Sequence, residues 1–159
     1  MRGVVVLLLS AMLLGCGDEN RIYDQYHDFD DRVWMVTDTP RFDFVVDDNS
    51  IEYTLTGHIR NTVGYPWSRI FVHYDLQDSS GNILKESLLT HYLFDAKSGK
   101  PHGATGIGDI FDHEVPLLDN YKFPYAGKYS LKFQQRMRVD TVEGMLAVGL
   151  RVEKIKQEK

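Results

Sequence analysis

Six histidines, at positions 27, 58, 73, 91, 102 and 113, are the side chains with the widest chemical repertoire in this 159-residue chain. As metal ligands they would need neighbours at short, fixed spacings. None forms a close pair with another, so neither a zinc-finger nor a metalloprotease arrangement is present. His58 and His73 fall on polar faces of alternating segments. His91, His102 and His113 bracket a glycine-rich run in which Asp109 and Asp112 could join them. A metal there is one reading and a solvated polar face is the preferred one, so no metal is expected. Hydrolytic chemistry has as little support: there is no Gly-x-Ser-x-Gly elbow, and Ser79, Ser80 and Ser98 lie in turn-like composition. The carboxylate pairs Asp30-Asp31 and Asp47-Asp48 read as loop caps, because acid–base work needs two such groups held across a cleft. An enzyme is therefore not expected, nor a cofactor.

The run His102-Gly103-Ala104-Thr105-Gly106-Ile107-Gly108-Asp109 could bring backbone N–H groups close to an anion. However, no Gly-Lys-Ser/Thr follows it, and Asp109 would repel a phosphate. It reads as a tight loop between strands, open to use as a contact surface. Asp78-Ser79-Ser80-Gly81-Asn82 holds one carboxylate and the residues that turn by side-chain bonding or positive φ. It predicts a hairpin in preference to a calcium loop. Trp34, Tyr65 and Trp67 offer a further alternative, an exposed stacking platform for sugar rings, against which stands ordinary packing in the core. Trp67 closes the turn-like Gly64-Tyr65-Pro66-Trp67, where a protein-contact anchor is equally in character.

Charge and composition narrow the field. Lys and Arg number 18 against 23 Asp and Glu, a net −5, with 43% hydrophobic and 12% aromatic residues. That is one globular domain's worth of chain. No cluster of cations suits a nucleic-acid backbone, so nucleic acid is excluded as a partner. The one cysteine can form no intrachain disulfide.

Its position explains it. Met1-Arg2 is followed by an uncharged apolar run from Gly3 to Leu14, then Gly15 and Cys16, with Asp18 and Glu19 directly behind. The run is short for a bilayer span, which makes a retained transmembrane helix the weaker reading, and it has the anatomy of a secretory signal peptide. Leu13-Leu14-Gly15-Cys16 resembles the bacterial lipobox, which implies cleavage before Cys16 and acylation of its thiol and new amino group. Several acyl chains anchor a soluble domain stably where one is marginal. The expected organisation is thus a signal peptide at 1–15, a lipidated N-terminus and spacer at 16–31, and a folded domain at 32–159.

The elements of that domain follow from a period of two. Ile51, Tyr53, Leu55 and Ile59 alternate with Glu52, Thr54, Thr56, His58 and Arg60. Ile70, Val72, Tyr74 and Leu76 do so with Phe71, His73, Asp75 and Gln77, and Tyr129, Leu131, Phe133, Gln135 and Met137 with the polar residues between them. Shorter strands are predicted at 32–36, 41–46, 83–94, 111–117 and 145–154. No stretch of the mature chain has helical periodicity. With no helix to cover them, about eight strands must bury their apolar faces against each other. The fold class is all-β, an antiparallel β-sandwich of Ig-like or jelly-roll type, with strand order left open.

Several of these segments, in this order, resemble the gliding motility lipoprotein GldH family of Bacteroidota. They are the lipobox, Arg60-Asn61-Thr62-Val63-Gly64-Tyr65-Pro66-Trp67-Ser68, Gly103 to Ile110, Pro124 to Tyr129 with Met137-Arg138, and Val142-Glu143-Gly144-Met145 running on to Glu153. The resemblance implies a non-enzymatic cell-envelope lipoprotein of the gliding machinery, linked to type IX secretion and acting through protein contacts. Its partners would be the membrane, through the anchor at Cys16, and envelope proteins of that machinery. The outer membrane is favoured over the inner. The contact loops expected are Tyr65, Pro66 and Trp67 with Gly106, Gly108 and Asp109. A lipid-anchored glycan-binding module is the alternative.

Overall fold

The computed structural model describes residues 19–105 and 108–155. Eleven strands account for most of them: β1 (Arg21–Asp28), β2 (Val33–Met35), β3 (Arg41–Val46), β4 (Tyr53–Thr62), β5 (Arg69–Asp78), β6 (Ile83–Tyr92), β7 (Ala104–Thr105), β8 (Ile110–Tyr121), β9 (Gly127–Gln135), β10 (Thr141–Glu143) and β11 (Met145–Lys154). A single 3-10 turn at Asp30–Arg32 is the one helical element among the described residues.

Every ladder is antiparallel. One sheet runs β1-β11-β4-β8-β7 and the facing sheet runs β3-β9-β5-β6, while β2 and β10 form a short ribbon. This is the expected β-sandwich. The period-two residues meet between the sheets: Leu55, Val148, Leu150 and Val152 from one, Ile70, Val72, Leu76, Leu131 and Phe133 from the other, all buried. The β5–β6 hairpin forms as predicted. Asp78 Oδ1 accepts from the backbone N–H of Ser80 and of Asn82, each at 2.9 Å, and Gly81 takes a φ of 84°. An L side chain at that φ would be strained.

Residues 21–28, assigned above to the spacer, are β1 and pair with β11 from Arg21↔Glu153 to Asp28↔Ala147. The folded body therefore begins at Arg21 rather than at residue 32. The segment shows no apolar period because β1 is an edge strand and only Ile22 and Tyr23 pack against the core.

His58 also differs from expectation, being 4% exposed instead of lying on a solvated face. Tyr26 from β1 covers it at 5.3 Å between ring centroids, and Arg60 stacks over the same tyrosine at 4.6 Å while donating to Asp112 Oδ2 at 3.1 Å through Nε. Burial pushes the His58 imidazole below its ordinary pKa.

The two ends of the sandwich differ. At one end Asn20 accepts from the N–H of Lys154, and that end carries the hairpin at 78–82. At the other end β4 turns into the segment 63–68, and the β2–β10 ribbon closes the core over Trp34. That side chain is wholly buried, stacks on Phe29 at 5.0 Å and donates from its ring nitrogen to the Asp38 carbonyl at 2.9 Å.

Candidate functional site

Segments far apart in the chain are brought together at the closed end. The N–H of Val63 donates to the Asp109 carbonyl at 2.9 Å, which sets the 63–68 turn beside the glycine-rich loop. The N–H of Thr62 donates to the Gly144 carbonyl at 2.8 Å. Gly144 has a φ of 76°, and a Cβ there would lie 2.6 Å from the Tyr65 nitrogen. Only a residue without a side chain lets the β10–β11 junction approach the turn so closely.

Tyr65 is buried and its hydroxyl donates to the Arg69 carbonyl at 2.8 Å. Its ring meets Trp67 edge-on at 5.5 Å and stacks near Phe94. Tyr65 therefore holds the turn in shape, whereas Pro66 and Trp67 are exposed. Gly108 and Asp109 are exposed beside them, and Gly106 lies outside the described residues, as does Cys16. The alternative of an exposed stacking platform, set against ordinary packing for Trp34, Tyr65 and Trp67, is not formed. Two of the three are buried, because flat rings with one polar atom fill a sheet-to-sheet core as well as they line a surface.

Trp67, 37% exposed, forms one wall of an open groove of about 620 Å³ on the outer face of the four-stranded sheet. Phe71 and Leu88 supply its floor from β5 and β6, and Met137 and Val139 line it from the chain following β9. Three cations complete it: Arg69, Arg136 and Arg138. Among the described residues no carboxylate lines it.

The wall at 136–139 is held by Gln135, which is fully buried on the apolar side of β9. Its amide donates to the Val139 carbonyl at 3.0 Å and its carbonyl accepts from the Met137 N–H at 2.8 Å. The N–H of Arg136 donates to the Phe71 carbonyl at 2.8 Å, which seats this wall on β5. Of the groove's residues, the sequence reading singled out Trp67 alone. The missed signal is a glutamine in an otherwise apolar alternation, followed by Arg-Met-Arg.

The histidines contribute a second, interior cluster. His113 is 3% exposed and its Nε2 lies 2.9 Å from Asn61 Oδ1. Asn61 donates its own amide N–H to the Thr62 carbonyl, so Oδ1 accepts and the His113 Nε2 carries the proton. His91 meets the ring edge-on at 5.4 Å. Burial, and then the neighbouring His91, lower the His113 pKa to about 4. Burial lowers His91 as well. Among the described residues no three potential ligands come together as a metal site would require.

Fold and groove describe a small antiparallel sandwich with an open, arginine-lined groove near one end. Comparison with known proteins gives it a family. The family model for the GldH lipoprotein matches residues 21–152, and the chain belongs to that family. A gliding motility lipoprotein GldH homolog of Christiangramia forsetii is 27% identical over 95% of this chain and 94% of its own length. The gliding motility lipoprotein GldH of Flavobacterium johnsoniae is 28% identical over 93% of this chain and 94% of its own length. The match begins at Arg21, where β1 begins. Among solved structures, an arabinose-bound α-L-arabinofuranosidase aligns with 81% of this chain and 23% of its own at 9% identity and a TM-score of 0.38, too low to carry any argument. The resemblance read from the sequence is thus borne out. The chain is a gliding motility lipoprotein of the cell envelope, from a family not known for enzymes.

Proposed function

We propose that the protein is a non-enzymatic assembly component of the gliding machinery, linked to type IX secretion and acting through protein contacts at the closed end of its sandwich. In this reading residues 1–15 are removed as a signal peptide, Cys16 carries the acyl chains, and the outer membrane holds the anchor. Pro66, Trp67, Gly108 and Asp109 form the contact loops with Gly106, and Tyr65 positions them.

One observation supports this reading above the others. Three separated segments, 63–67, 108–109 and 144, converge on one end through the Val63–Asp109 and Thr62–Gly144 hydrogen bonds. Nothing in the packing of the core requires Pro66 and Trp67 to stand exposed on that end. Trp67 is one of two tryptophans in the chain, and exposed tryptophan beside arginine is typical of residues that dominate protein interfaces. The glycan reading retains only Trp67, a single ring where stacking on a sugar was to have three.

The test is in-cell crosslinking followed by affinity purification of the full chain. Envelope proteins of the gliding and secretion machinery should be recovered with the wild type and lost with Trp67→Ala. Recovery of free protein alone, with gliding and secretion intact in a deletion strain, would refute the assembly role. Retention of the wild type but not the mutant on immobilised polysaccharide would favour glycan binding. Anchoring is checked separately: Cys16→Ser should leave the membrane fraction.

A further inference from the structure

Four of the arginines among the described residues have a carboxylate within ion-pair distance: Arg21, Arg41, Arg60 and Arg151. Of the remaining four, Arg69, Arg136 and Arg138 all line the Trp67 groove. Their existing contacts are weak or neutral. Arg69 reaches the Tyr92 hydroxyl at 3.5 Å and lies over the Phe71 ring at 5.2 Å, and Arg136 donates to the Gln134 side chain. A chain with a net charge of −5 has thus gathered three guanidinium groups around an apolar floor, none with a carboxylate partner among the described residues. Cations lining one groove add to a positive local potential, which favours a ligand that brings carboxylates.

We propose that this groove binds an extended, acidic and apolar segment of another envelope protein, its carboxylates pairing with Arg69, Arg136 and Arg138 and its apolar side chains covering Phe71, Leu88 and Val139. This rests on the assembly role proposed above and names the chemistry of its partner. Leu88 is 59% exposed and Val139 38%, so the floor has apolar area to give up. β6 is an outer strand with no neighbour on its far side among the described residues, and its backbone offers hydrogen bonds to a strand-like segment. Arginine matches a carboxylate with two parallel N–H donors, which lysine does not, and all three cations are arginines.

The groove is at the end of the sandwich opposite Asn20, and β4, ten residues long and running between the two ends, separates them by about 30 Å at the usual rise of a strand. The charge and apolar floor of the groove favour a protein segment, and a membrane surface is an outcome the experiment separates from it.

The experiment uses the full lipidated chain in neutral detergent micelles and a fluorescein-labelled peptide of alternating Glu and Val. Binding by fluorescence anisotropy is expected. It should weaken at least tenfold with Arg136→Glu/Arg138→Glu, weaken with added salt, and be absent for the peptide with Lys in place of Glu. The two arginines are exposed, so the variant keeps its circular dichroism spectrum and its thermal midpoint. Equal binding of the Glu and Lys peptides, or unchanged binding by the double variant, overturns the proposal. So does binding to phosphatidylglycerol vesicles with none to the peptide. A photocrosslinking residue placed at Val139 in cells should trap a protein that one at Val45, on the opposite edge, does not. Adducts from Val45 alone would sink the groove while leaving the assembly role standing, whereas peptide binding in micelles without adducts from any position in cells would spare the groove and count against that role.

Discussion

Removing the ionisation of His113 should change how the protein responds to acid. In the folded state its pKa is lowered to about 4 because the ring is buried beside His91, with His102 adding to the effect and Asp112 partly opposing it. In the unfolded chain it titrates near 6.5. Between these values the unfolded state binds a proton that the folded state refuses. The contribution of His113 is therefore full above pH 6.5 and is lost as the pH falls toward 4. Integrating from pH 7 to pH 4.5 with those two pKa values gives a loss of about 2 kcal/mol. His113→Gln keeps an N–H donor for Asn61 Oδ1 and cannot take up the proton. Urea unfolding of the soluble domain at pH 7 and at pH 4.5 measures the difference. Whatever the substitution costs in packing is present at both pH values and cancels. The wild type should lose about 2 kcal/mol more than the variant over this interval, which is a relative midpoint shift of roughly 1 M urea. His91 and His58 are lowered in the same direction and remain in both proteins, so both still weaken in acid. Parallel losses in the two proteins would show that His113 is not held neutral by its burial.

Three further outcomes follow from the packing. Gln135→Leu leaves the Met137 N–H and the Val139 carbonyl without partners, so the domain should lose about 1–3 kcal/mol in denaturant unfolding, and hydrogen exchange should quicken at 136–139. Gly144→Ala places a methyl group 2.6 Å from the Tyr65 nitrogen at a φ of 76°, so it should lower the thermal midpoint and increase the acrylamide quenching of Trp67 fluorescence. Trp34→Ala empties the space under the β2–β10 ribbon and should cost about 3–5 kcal/mol in the same denaturant assay, while Trp67→Ala, at an exposed wall, should change stability by no more than about 0.5 kcal/mol.

The parts of this domain that were readable without coordinates share one physical property: a strand with one buried face writes a period of two into the chain. β3 and β11 have the predicted bounds, and β4, β5 and β9 bury the residues that alternation selected. The Asp78 hairpin was readable because its turn is made by local side-chain bonds. β1 was not, since an edge strand packs few apolar side chains and its Tyr-Asp-Gln-Tyr pattern looks like a linker. Of the candidate site, Pro66, Trp67, Gly108 and Asp109 were legible as loop residues, but Tyr65 proved to be an internal support.

The sequence by itself determined the class of fold, the inward faces of the long strands and the family, because each is a local pattern or an ordered set of short motifs. Tertiary structure alone decided which residues meet. Whether Trp34 seals the core or Trp67 walls a groove depends on what lies opposite each ring, and the partner is 108 residues away in one case, where Trp34 pairs through β2 with Val142. The convergence of Arg69 with Arg136 and Arg138 is likewise invisible along the chain. It arises because β5 lies beside β9, so that Val72 stands opposite Gln135 and the residues flanking them are carried onto one face.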